Sequence, residues 1–457
     1  MKFLFVHQNF PGQYLHLVRR LKDAGHEIIF VTQRRDREVE GVPSLEYMAL
    51  PVSTGVQPYL LDLEANTMNG LAVARLCEGL KQDGFTPDIA IGHTGWGELL
   101  FIKDVWPGVP LLGYFEFFYR VAGSDLDFDL EFPPNADDAF RMRMRNASNL
   151  LSLDAVDWGH TPTKWQRDQY PSLWHSRISI IHEGIDTTRV RPDPTARLWL
   201  RGGLSLSRDD QVITYSARNL EPYRGFHVFM RALPAVLERC PNARIIIVGG
   251  DNVSYGRRPP QGNSWREYML AEVHGRLDLN RVHFVGWVPY EQYLAILQIS
   301  AAHVYLTYPF VLSWGLLEAM ASECMLIASR TPPVEEVIDG VDNGYLVDFF
   351  DRNALVERIC EVLQNPADTE RMRRNARRTV IEQFDLNTKC LPAHLALIRE
   401  LTGIDPMASA AAPRARAKSV RAKSAGAKPA ATPVTPSEPR PRQRRSGTKR
   451  PVLAANQ

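Results

Sequence analysis

The sequence predicts an α/β protein with two doubly wound parallel-sheet domains, followed by a disordered basic tail. Short apolar runs alternate with amphipathic helical patterns, as in parallel sheets covered by helices. This alternation occurs twice and stops near residue 404. The chain of 457 residues also exceeds what one compact core usually holds, and 44% hydrophobic with 23% charged residues is a globular composition.

The first domain is predicted over residues 1–175. A polar and aromatic stretch precedes the second series of strands, and it places the domain junction near residue 175. The strands of this domain are expected at 2–7, 27–32, 88–93 and 111–116, with helices at 13–24 and 99–105.

The second domain is predicted over residues 176–385. A helical pattern at 367–401, interrupted by Pro392, is long enough for the chain to return to the first domain, through a crossover helix at about 386–403. The strands of the second series are expected from Ile178 onward and at 212–217, 243–249, 283–287, 303–308, 325–329 and 344–347.

The tail, residues 404–457, is predicted to be disordered because it has almost no bulky apolar residues to offset the entropy of ordering. It holds twelve of the 54 Lys and Arg but two of the 52 Asp and Glu, so the preceding residues are acidic overall. The tail either stays solvated or makes a peripheral contact with an anionic membrane. Nucleic acid is a less favoured partner.

Five scattered cysteines without a CxxC pair indicate reduced thiols and disfavour a zinc site. The apolar run after Lys2 is too short for a signal peptide, and no run reaches the roughly 18 apolar residues of a membrane span. We therefore expect a cytoplasmic protein, whose contact with a membrane, if it has one, is peripheral and at the inner face.

Two arginines follow the strand predicted at 212–217. Arg218 stands at the strand end and Arg224 six residues later at a helix start, so both can face one anion beyond the carboxyl edge of the sheet. The planar guanidinium fork binds two phosphate oxygens at once. The alternative is a pair of solvated surface arginines, and the motifs that follow favour the diphosphate site.

The segment 308–321 is predicted to run from a strand end through a loop into a helix with Ser313 as its N-cap. The first turn, at Trp314, presents free N–H groups and the positive end of the helix dipole to a phosphate. Glu318 follows in an apolar helix, where a buried carboxylate needs a partner. A ribose diol would be such a partner, and a salt bridge within the fold is the alternative.

These motifs make the chain resemble family 4 of the retaining glycosyltransferases, which have the GT-B fold of two facing Rossmann-like domains. The resemblance covers about residues 1–403. It rests on Ala217-Arg218 with Arg224-Gly225, Leu317-Glu318-Ala319-Met320-Ala321, His182-Glu183-Gly184-Ile185-Asp186, and Pro11-Gly12 after the first strand.

The resemblance implies a nucleotide-sugar donor bound mainly by the second domain and a saccharide or lipid-linked acceptor bound mainly by the first. It implies transfer with retention, without metal or cofactor. Arg218 and Arg224 would bind the diphosphate and act in catalysis, Arg224 standing where the family usually has lysine. Ser313, Trp314 and Glu318 would bind the donor, with Glu318 at the ribose.

One departure from the family lies in the second domain. The first glutamate of the family's pair, eight residues before Glu318, falls on Phe310. That glutamate ordinarily contacts the transferred sugar. Its replacement leaves the identity and the binding mode of the sugar open, though not the nucleotide site.

The other departure lies in the first domain, where Glu116 ends a strand at which many relatives carry a histidine near the reacting sugar. Glu116 is expected to stabilise an oxocarbenium-like centre or to accept a proton, and a strand-end pair with an arginine is the alternative. His93, which ends the preceding strand, is a further catalytic candidate, against the alternative of a structural histidine.

Three more residues are expected at the donor. Gly12 lies in the first strand-to-helix loop, where a missing side chain lets the backbone approach the diphosphate or sugar; the alternative is an ordinary tight turn. Trp287 and Val288 correspond to a loop that lies beside the base in relatives, and the alternative for Trp287 is a role in packing alone.

The sequence therefore favours a retaining glycosyltransferase of polysaccharide or glycoconjugate biosynthesis. Two other functions stay open. Phe310 makes a non-catalytic nucleotide-sugar-binding scaffold credible, and a sugar-nucleotide epimerase of the same fold would convert the donor without an acceptor.

Overall fold

The computed structural model describes residues 1–34, 38–200 and 202–408. Residues 409–457 lie outside these ranges, so the disordered tail stays a prediction for them. The strands of the described residues are β1 (Lys2–Val6), β2 (Glu27–Thr32), β3 (Ser44–Glu46), β4 (Ile89–His93), β5 (Leu111–Tyr114), β6 (Trp158–Thr161), β7 (Ile178–Ile180), β8 (Leu198–Trp199), β9 (Ser205–Leu206), β10 (Val212–Asn219), β11 (Arg244–Gly250), β12 (Val282–Gly286), β13 (Ala302–Tyr305), β14 (Leu326–Ser329) and β15 (Tyr345–Val347).

Helices alternate with these strands along most of the chain. They are α1 (Leu15–Asp23), α2 (Leu61–Gln82), α3 (Ile102–Val105), α4 (Ala136–Ala155), α5 (Lys164–Gln169), α6 (Phe226–Arg239), α7 (Trp265–Glu272), α8 (Tyr290–Gln298), α9 (Trp314–Ala321), α10 (Pro332–Glu335), α11 (Arg352–Gln364), α12 (Glu370–Gln383) and α13 (Leu391–Thr402).

Two parallel sheets confirm the predicted fold class. The first has the order β3-β2-β1-β4-β5-β6-β7 and the second the order β12-β11-β10-β13-β14-β15. In each sheet the strand order reverses beside the first strand, between β1 and β4 and between β10 and β13. Ligands of such sheets bind beyond the carboxyl ends of the strands at this reversal. The residues that follow β1, β4, β10 and β13 therefore lie where such a ligand would bind.

The sheet assignment of one predicted strand is wrong. The second series was expected to begin at Ile178, but β7 pairs in parallel with β6, with Gly159 opposite Ile178, and so belongs to the first sheet. The two short strands β3 and β6 of that sheet were not predicted. The domain boundaries near 175 and 385 stay predictions.

The end of the described chain returns to the first sheet. Leu391, Leu397 and Ile398 are buried in the same apolar cluster as Phe3 and Phe5 of β1. A π-helical turn at Leu386–Cys390 runs directly into α13, so the helical segment is continuous over residues 386–402, and Pro392 lies where the π-helical turn changes into the α-helix.

A segment of the first half packs on the second half. This segment, which we call the arm, comprises residues 117–134 between β5 and α4. Its Asp129 accepts a hydrogen bond of 2.5 Å from the Tyr308 hydroxyl and lies 3.0 Å from Nε2 of His227. Phe128 and Phe132 of the arm pack against the core of the second half. The arm belongs to the first half in sequence, and it therefore completes the core of the second half in space.

All five cysteines are buried and free. Among the described residues, none of the helices combines the length and the apolar character that crossing a bilayer requires.

Candidate active site

The carboxyl ends of β4 and β5 bring His93 and Glu116 together. Their side chains lie 3.5 Å apart, between Nε2 of His93 and a carboxylate oxygen of Glu116. His93 is 2% exposed and Glu116 is 32% exposed, so the histidine supports the carboxylate from the interior. The sequence left open that Glu116 pairs with an arginine. In the structure its nearest ionisable partner is instead a histidine, His93.

A second histidine approaches from β1. The ring of His7, which follows β1, lies 5.2 Å from that of His93. Its Nε2 is 2.6 Å from Oε1 of Gln13, and the Gln13 amide donates to Oε1 of Glu116 at 3.3 Å. Trp96 stacks on His93 with ring centroids 4.3 Å apart and separates the histidine from solvent. The three strand ends thus converge on one carboxylate.

The electrostatics of this group favour an ionised Glu116. Burial raises the pKa of Glu116, but the neighbouring His93, with the influence of His7 and Arg218, brings this pKa below its ordinary value. Burial lowers the pKa of His7 to about 3, so this ring is neutral. The site therefore holds a carboxylate beside an uncharged His7 imidazole.

Gly12 has a steric role in the same loop. Its φ of +54° is in the left-handed region, and a Cβ at this position would lie 2.6 Å from the His7 ring. The absent side chain thus makes room for His7, and Gly12 does not belong to an unconstrained tight turn.

Arg218 and Arg224 differ in their environments. Arg218 lies within β10, one residue before its end, and is exposed. Arg224 ends a short 3-10 turn before α6 and is 8% exposed. The positive charge of Arg218 contributes to the lowered pKa of the Glu116 carboxyl group in the first half. Of the two arginines, Arg218 is the exposed member, and Arg224 does not belong to a solvated surface pair.

Arg224 is surrounded by aromatic rings. Its guanidinium lies 5.6 Å from the ring centroids of both Tyr255 and Phe310, and it donates to Oγ1 of Thr307 at 2.8 Å. Burial lowers the pKa of Arg224, but tyrosine and glutamate neighbours raise it above its ordinary value. Arg224 is therefore a permanent cation that contacts aromatic rings. A salt bridge would have neutralised its charge, and the rings do not.

Phe310 connects the two halves at the position of the family's first glutamate. Its ring centroid lies 4.7 Å from that of Phe117 in the arm and 4.8 Å from that of Tyr255. It is 8% exposed. At the position where the family usually has a glutamate, this chain thus has an apolar contact between the two halves.

The N-terminus of α9 has the predicted cap. Oγ of Ser313 accepts a hydrogen bond of 3.2 Å from the N–H of Gly315. The Trp314 indole is 43% exposed and donates to the Glu183 carboxylate at 3.0 Å. Because Glu183 follows β7 in the first half, Trp314 connects the halves as well as beginning the helix.

Glu318 has tyrosine partners. The Tyr290 hydroxyl donates to its Oε1 at 2.6 Å. Burial raises the pKa of Glu318, and hydrogen bonds from Tyr290 and Tyr293 offset part of this rise. The partners of this carboxylate are thus neutral hydroxyl groups, which are the kind of donor that a ribose diol also presents.

Trp287 and Val288 lie in the loop between β12 and α8. Trp287 is 70% exposed, and its indole N–H donates to the backbone oxygen of Arg218 at 3.1 Å. Val288 is half-buried. Trp287 therefore presents an open ring beside the Arg218 backbone and does not fill the core.

Several residues of this site were not predicted, among them His7, Gln13, Trp96 and Tyr290. The strand-end rule could have identified His7, because it follows β1 as His93 ends β4. Gln13 and Tyr290 carried no such signal, since their partners are far away in sequence.

A possible cation site lies elsewhere, in the arm. Among the described residues, Asp129, Glu131 and His227 form the one cluster close enough to hold a metal ion. Arg231, however, donates to both oxygens of Glu131 at 2.6 and 2.7 Å. A guanidinium this close repels a cation, so we interpret the cluster as a structural ion-pair network.

Comparisons with known proteins agree with this geometry. Residues 24–190 match the glycosyl transferase family 4 group, and residues 204–379 match glycosyl transferases group 1. Spore coat protein SA of Bacillus subtilis (strain 168) is 25% identical over 227 residues, which are 47% of this chain and 57% of that protein, so the match spans less than two thirds of the relative. D-inositol 3-phosphate glycosyltransferase of Streptomyces scabiei (strain 87.22) is 24% identical over 382 residues, 77% of this chain and 81% of that protein.

The fold has a solved counterpart in sucrose-phosphate synthase from Thermosynechococcus elongatus. The TM-score is 0.67 at 19% identity, over 88% of this chain and 99% of that chain. This likeness extends over both parallel sheets. With its two halves each matched by a family model, the chain belongs to the glycosyl transferases of the family 4 group and group 1, which have the GT-B fold.

Proposed function

We propose that the protein transfers a sugar from a nucleotide-sugar donor to a saccharide or lipid-linked saccharide, with retention of anomeric configuration and without an essential metal ion. The observation that carries this proposal is a pair of charges at the strand ends of the two halves, the buried guanidinium of Arg224 and the carboxylate of Glu116, whose pKa is lowered in part by Arg218. A donor between them would meet positive charge at its phosphates and negative charge at its sugar.

The two arginines are assigned to the diphosphate. A buried guanidinium such as Arg224 is already ordered by Thr307 and the surrounding rings, so little conformational freedom is lost when it binds phosphate. Their positive charge supports departure of the nucleotide, as a metal ion does in other enzymes. This is our reason for proposing independence of metal.

The nucleoside is assigned to the second half. Glu318 would accept hydrogen bonds from the ribose hydroxyls, and the exposed Trp287 ring with Val288 would flank the base. The capped N-terminus of α9, at Ser313 and Trp314, would offer backbone N–H groups to the phosphates. The Gly12 loop of the first half would lie against the diphosphate or sugar from the opposite side.

The proposed step takes place on one face of the sugar. The acceptor hydroxyl attacks the anomeric carbon from the side on which the nucleotide departs, and the bond between that carbon and the phosphate oxygen breaks. The departing oxygen takes the proton of the acceptor. Glu116, supported by His93, stabilises the oxocarbenium-like charge. None of the side chains acts as a covalent nucleophile in this proposal.

A panel of UDP-, GDP- and ADP-sugars tests the proposal. We expect one donor to raise the Tm and to release nucleotide slowly in the absence of acceptor. The double variant Arg218→Ala/Arg224→Ala should lose both effects, because each charge-assisted hydrogen bond contributes about 1.5–3 kcal/mol, or roughly 10- to 150-fold in rate. The control is Arg358→Ala, since exposed Arg358 pairs with Glu361 on the same helix.

The outcomes separate the rival functions. A double variant that keeps wild-type turnover would contradict the diphosphate assignment. Binding without release, even when acceptors are supplied, would favour the scaffold. Conversion of the donor to an isomeric nucleotide sugar would indicate the epimerase. Product NMR tests retention, and turnover in EDTA tests independence of metal.

The acceptor and the place of action form the finer part of the proposal. We propose a cytoplasmic enzyme of polysaccharide or glycoconjugate synthesis, with the 404–457 tail contacting anionic lipid at the inner face of the membrane. Flotation with anionic liposomes should be lost when residues 405–457 are deleted. Flotation that persists after this deletion would contradict the lipid-binding role of the tail.

A further inference from the structure

We propose that His7 and Gln13 are positioning residues whose hydrogen bonds have one fixed direction, and that with the neighbouring His93 they hold Glu116 as an ionised carboxylate with an N–H group near each oxygen. The direction of this relay follows from the hydrogen-bond geometry together with the burial of His7. The effect of the relay on turnover rests on the proposed function.

The direction of the relay begins at the backbone. The N–H of Asn9 donates to Nδ1 of His7 at 2.9 Å, so Nδ1 carries no proton. Burial keeps the imidazole neutral by lowering its pKa to about 3, and the single ring proton must then be on Nε2. His7 is therefore a donor at Nε2, and it donates to Gln13.

The amide of Gln13 is oriented by this proton. Oε1 of Gln13 lies 2.6 Å from Nε2 of His7 and must be the acceptor. The NH₂ group then faces Glu116, 3.3 Å from its Oε1. If the amide rotated by half a turn, two N–H donors would face each other across 2.6 Å. His7 thus determines which end of Gln13 the carboxylate meets.

The same arrangement recurs on the other side of Glu116. The N–H of Gly95 donates to Nδ1 of His93 at 2.9 Å, which again assigns the ring proton to Nε2. Nε2 of His93 has no hydrogen-bond partner among the described residues, and the nearest carboxylate oxygen, Oε2 of Glu116, lies 3.5 Å from it. Each oxygen of Glu116 thus has an N–H group nearby, and the backbone N–H two residues after His7 and after His93 determines on which ring nitrogen the proton lies.

Two N–H donors at one carboxyl group favour the ionised form, because a protonated oxygen would meet a donor. Glu116 is consequently unsuited to give a proton. The carboxylate is 32% exposed, and the positive charge of Arg218 contributes to its lowered pKa. The relay therefore disfavours a general-acid role for Glu116 and agrees with the electrostatic role proposed above.

Exchange of the two polar groups tests the direction of the relay. In Glu116→Gln the new NH₂ must face either Gln13 or His93, and in Gln13→Glu two carboxylates oppose each other. We expect each single variant to lower the Tm by about 2 °C or more. In the double variant Glu116→Gln/Gln13→Glu every donor again meets an acceptor, and most of the loss should be recovered. Additive losses in the double variant would overturn the relay.

The matched control uses Gln166, which donates to the backbone oxygen of Glu116 at 2.6 Å and not to its carboxylate. Glu116→Gln/Gln166→Glu should show additive losses of Tm. Recovery in this pair equal to that in the first pair would overturn the relay, because it would show a general effect of charge.

Turnover separates the relay from the proposed function. Gln13→Leu should lower kcat about tenfold with little change in donor KM, since an oriented Glu116 acts in the transition state. An unchanged kcat in an active protein would overturn the positioning role. If the exchanged double variant recovers its Tm and also its activity, the relay stands and the assignment of Glu116 to the sugar fails.

Discussion

The Tyr290 hydroxyl donates a 2.6 Å hydrogen bond to Oε1 of Glu318, the carboxylate that we assign to the donor ribose. Tyr290 is 39% exposed, and the guanidinium of Arg189 lies 4.6 Å from its ring centroid. The free protein thus already satisfies one oxygen of Glu318 with a hydroxyl group, so an arriving ribose has to compete with Tyr290.

Tyr290→Phe should therefore strengthen nucleotide binding. The variant removes the competing hydroxyl and leaves the ring in place, and the gain should be about five- to tenfold in Kd, as for one hydrogen bond of roughly 1–1.5 kcal/mol. Isothermal titration with the nucleotide of the preferred donor measures it. The control is Tyr345→Phe, whose hydroxyl contacts Glu361 on α11. Weaker binding in Tyr290→Phe would show that Tyr290 supports Glu318 and does not compete with the ribose.

Restoring the family's glutamate at Phe310 should not restore a sugar contact. Phe310→Glu places a carboxylate among Phe117, Tyr255 and Arg224, where it loses ring contacts and must be desolvated. We expect the free energy of unfolding to fall by about 2–4 kcal/mol and turnover not to rise. Phe310→Leu, which stays apolar, should lose about 1 kcal/mol. Denaturant unfolding measures both, and a stable, more active Phe310→Glu protein would contradict the packing role.

The arm should contribute to stability mainly through Asp129. In Asp129→Asn the group facing Tyr308 and His227 loses its charge, and we expect a loss of about 3 kcal/mol in the free energy of unfolding. Glu131→Gln is the control, because its ion pair with Arg231 is partly exposed and should be worth less than about 1 kcal/mol. Guanidinium unfolding compares the two. Equal losses of unfolding free energy in the two variants would contradict a larger contribution of the buried Asp129.

The buried carboxyl group of Glu98 should make stability depend on pH. Burial raises the pKa of Glu98 from 4.5 to about 7, against the opposing influence of the hydrogen bond from Tyr47 and of His93. Between these values the native protein binds a proton that the unfolded chain has released, so the free energy of unfolding falls as pH rises, by up to about 1.4 kcal/mol per pH unit.

Glu98→Gln removes this titration and keeps an acceptor for Tyr47. The Tm of the variant relative to the wild type should therefore increase from pH 5 to pH 8. Contributions of histidines that do not interact with Glu98 are common to both proteins and cancel in this difference. A difference in Tm that does not change with pH would contradict the titration of Glu98 in this window.

The fold was predictable where apolar runs were long enough to be recognised. The runs around β1, β2, β4 and β10 were found because each has several consecutive buried residues. The short strand β3 and the polar strand β6, with His160 at its centre, were missed because their pairing depends on neighbouring strands. The apolar residues of β7 could not show which sheet they join.

The candidate site was predictable at strand ends and not beyond them. His93, Glu116 and Arg218 were found because the carboxyl edge of a parallel sheet is identifiable from the strands. The partner of Gln13 lies 103 residues away, and the direction of their hydrogen bond depends on a backbone N–H, so the sequence contains no local sign of it. The arm was missed for the same reason, since its partners, such as His227 and Tyr308, lie far away in sequence in the second half.

The position of the arm also bears on how proteins of this kind can be recombined. A hybrid that joined the second half of this chain to the first half of a relative would leave Tyr308 and His227 without Asp129, and Phe310 without Phe117. The second half would then keep its stability only if residues 117–134 were grafted along with it. The part of this protein that can be exchanged as a unit is thus discontinuous in sequence. It consists of the second half together with the arm from the first half.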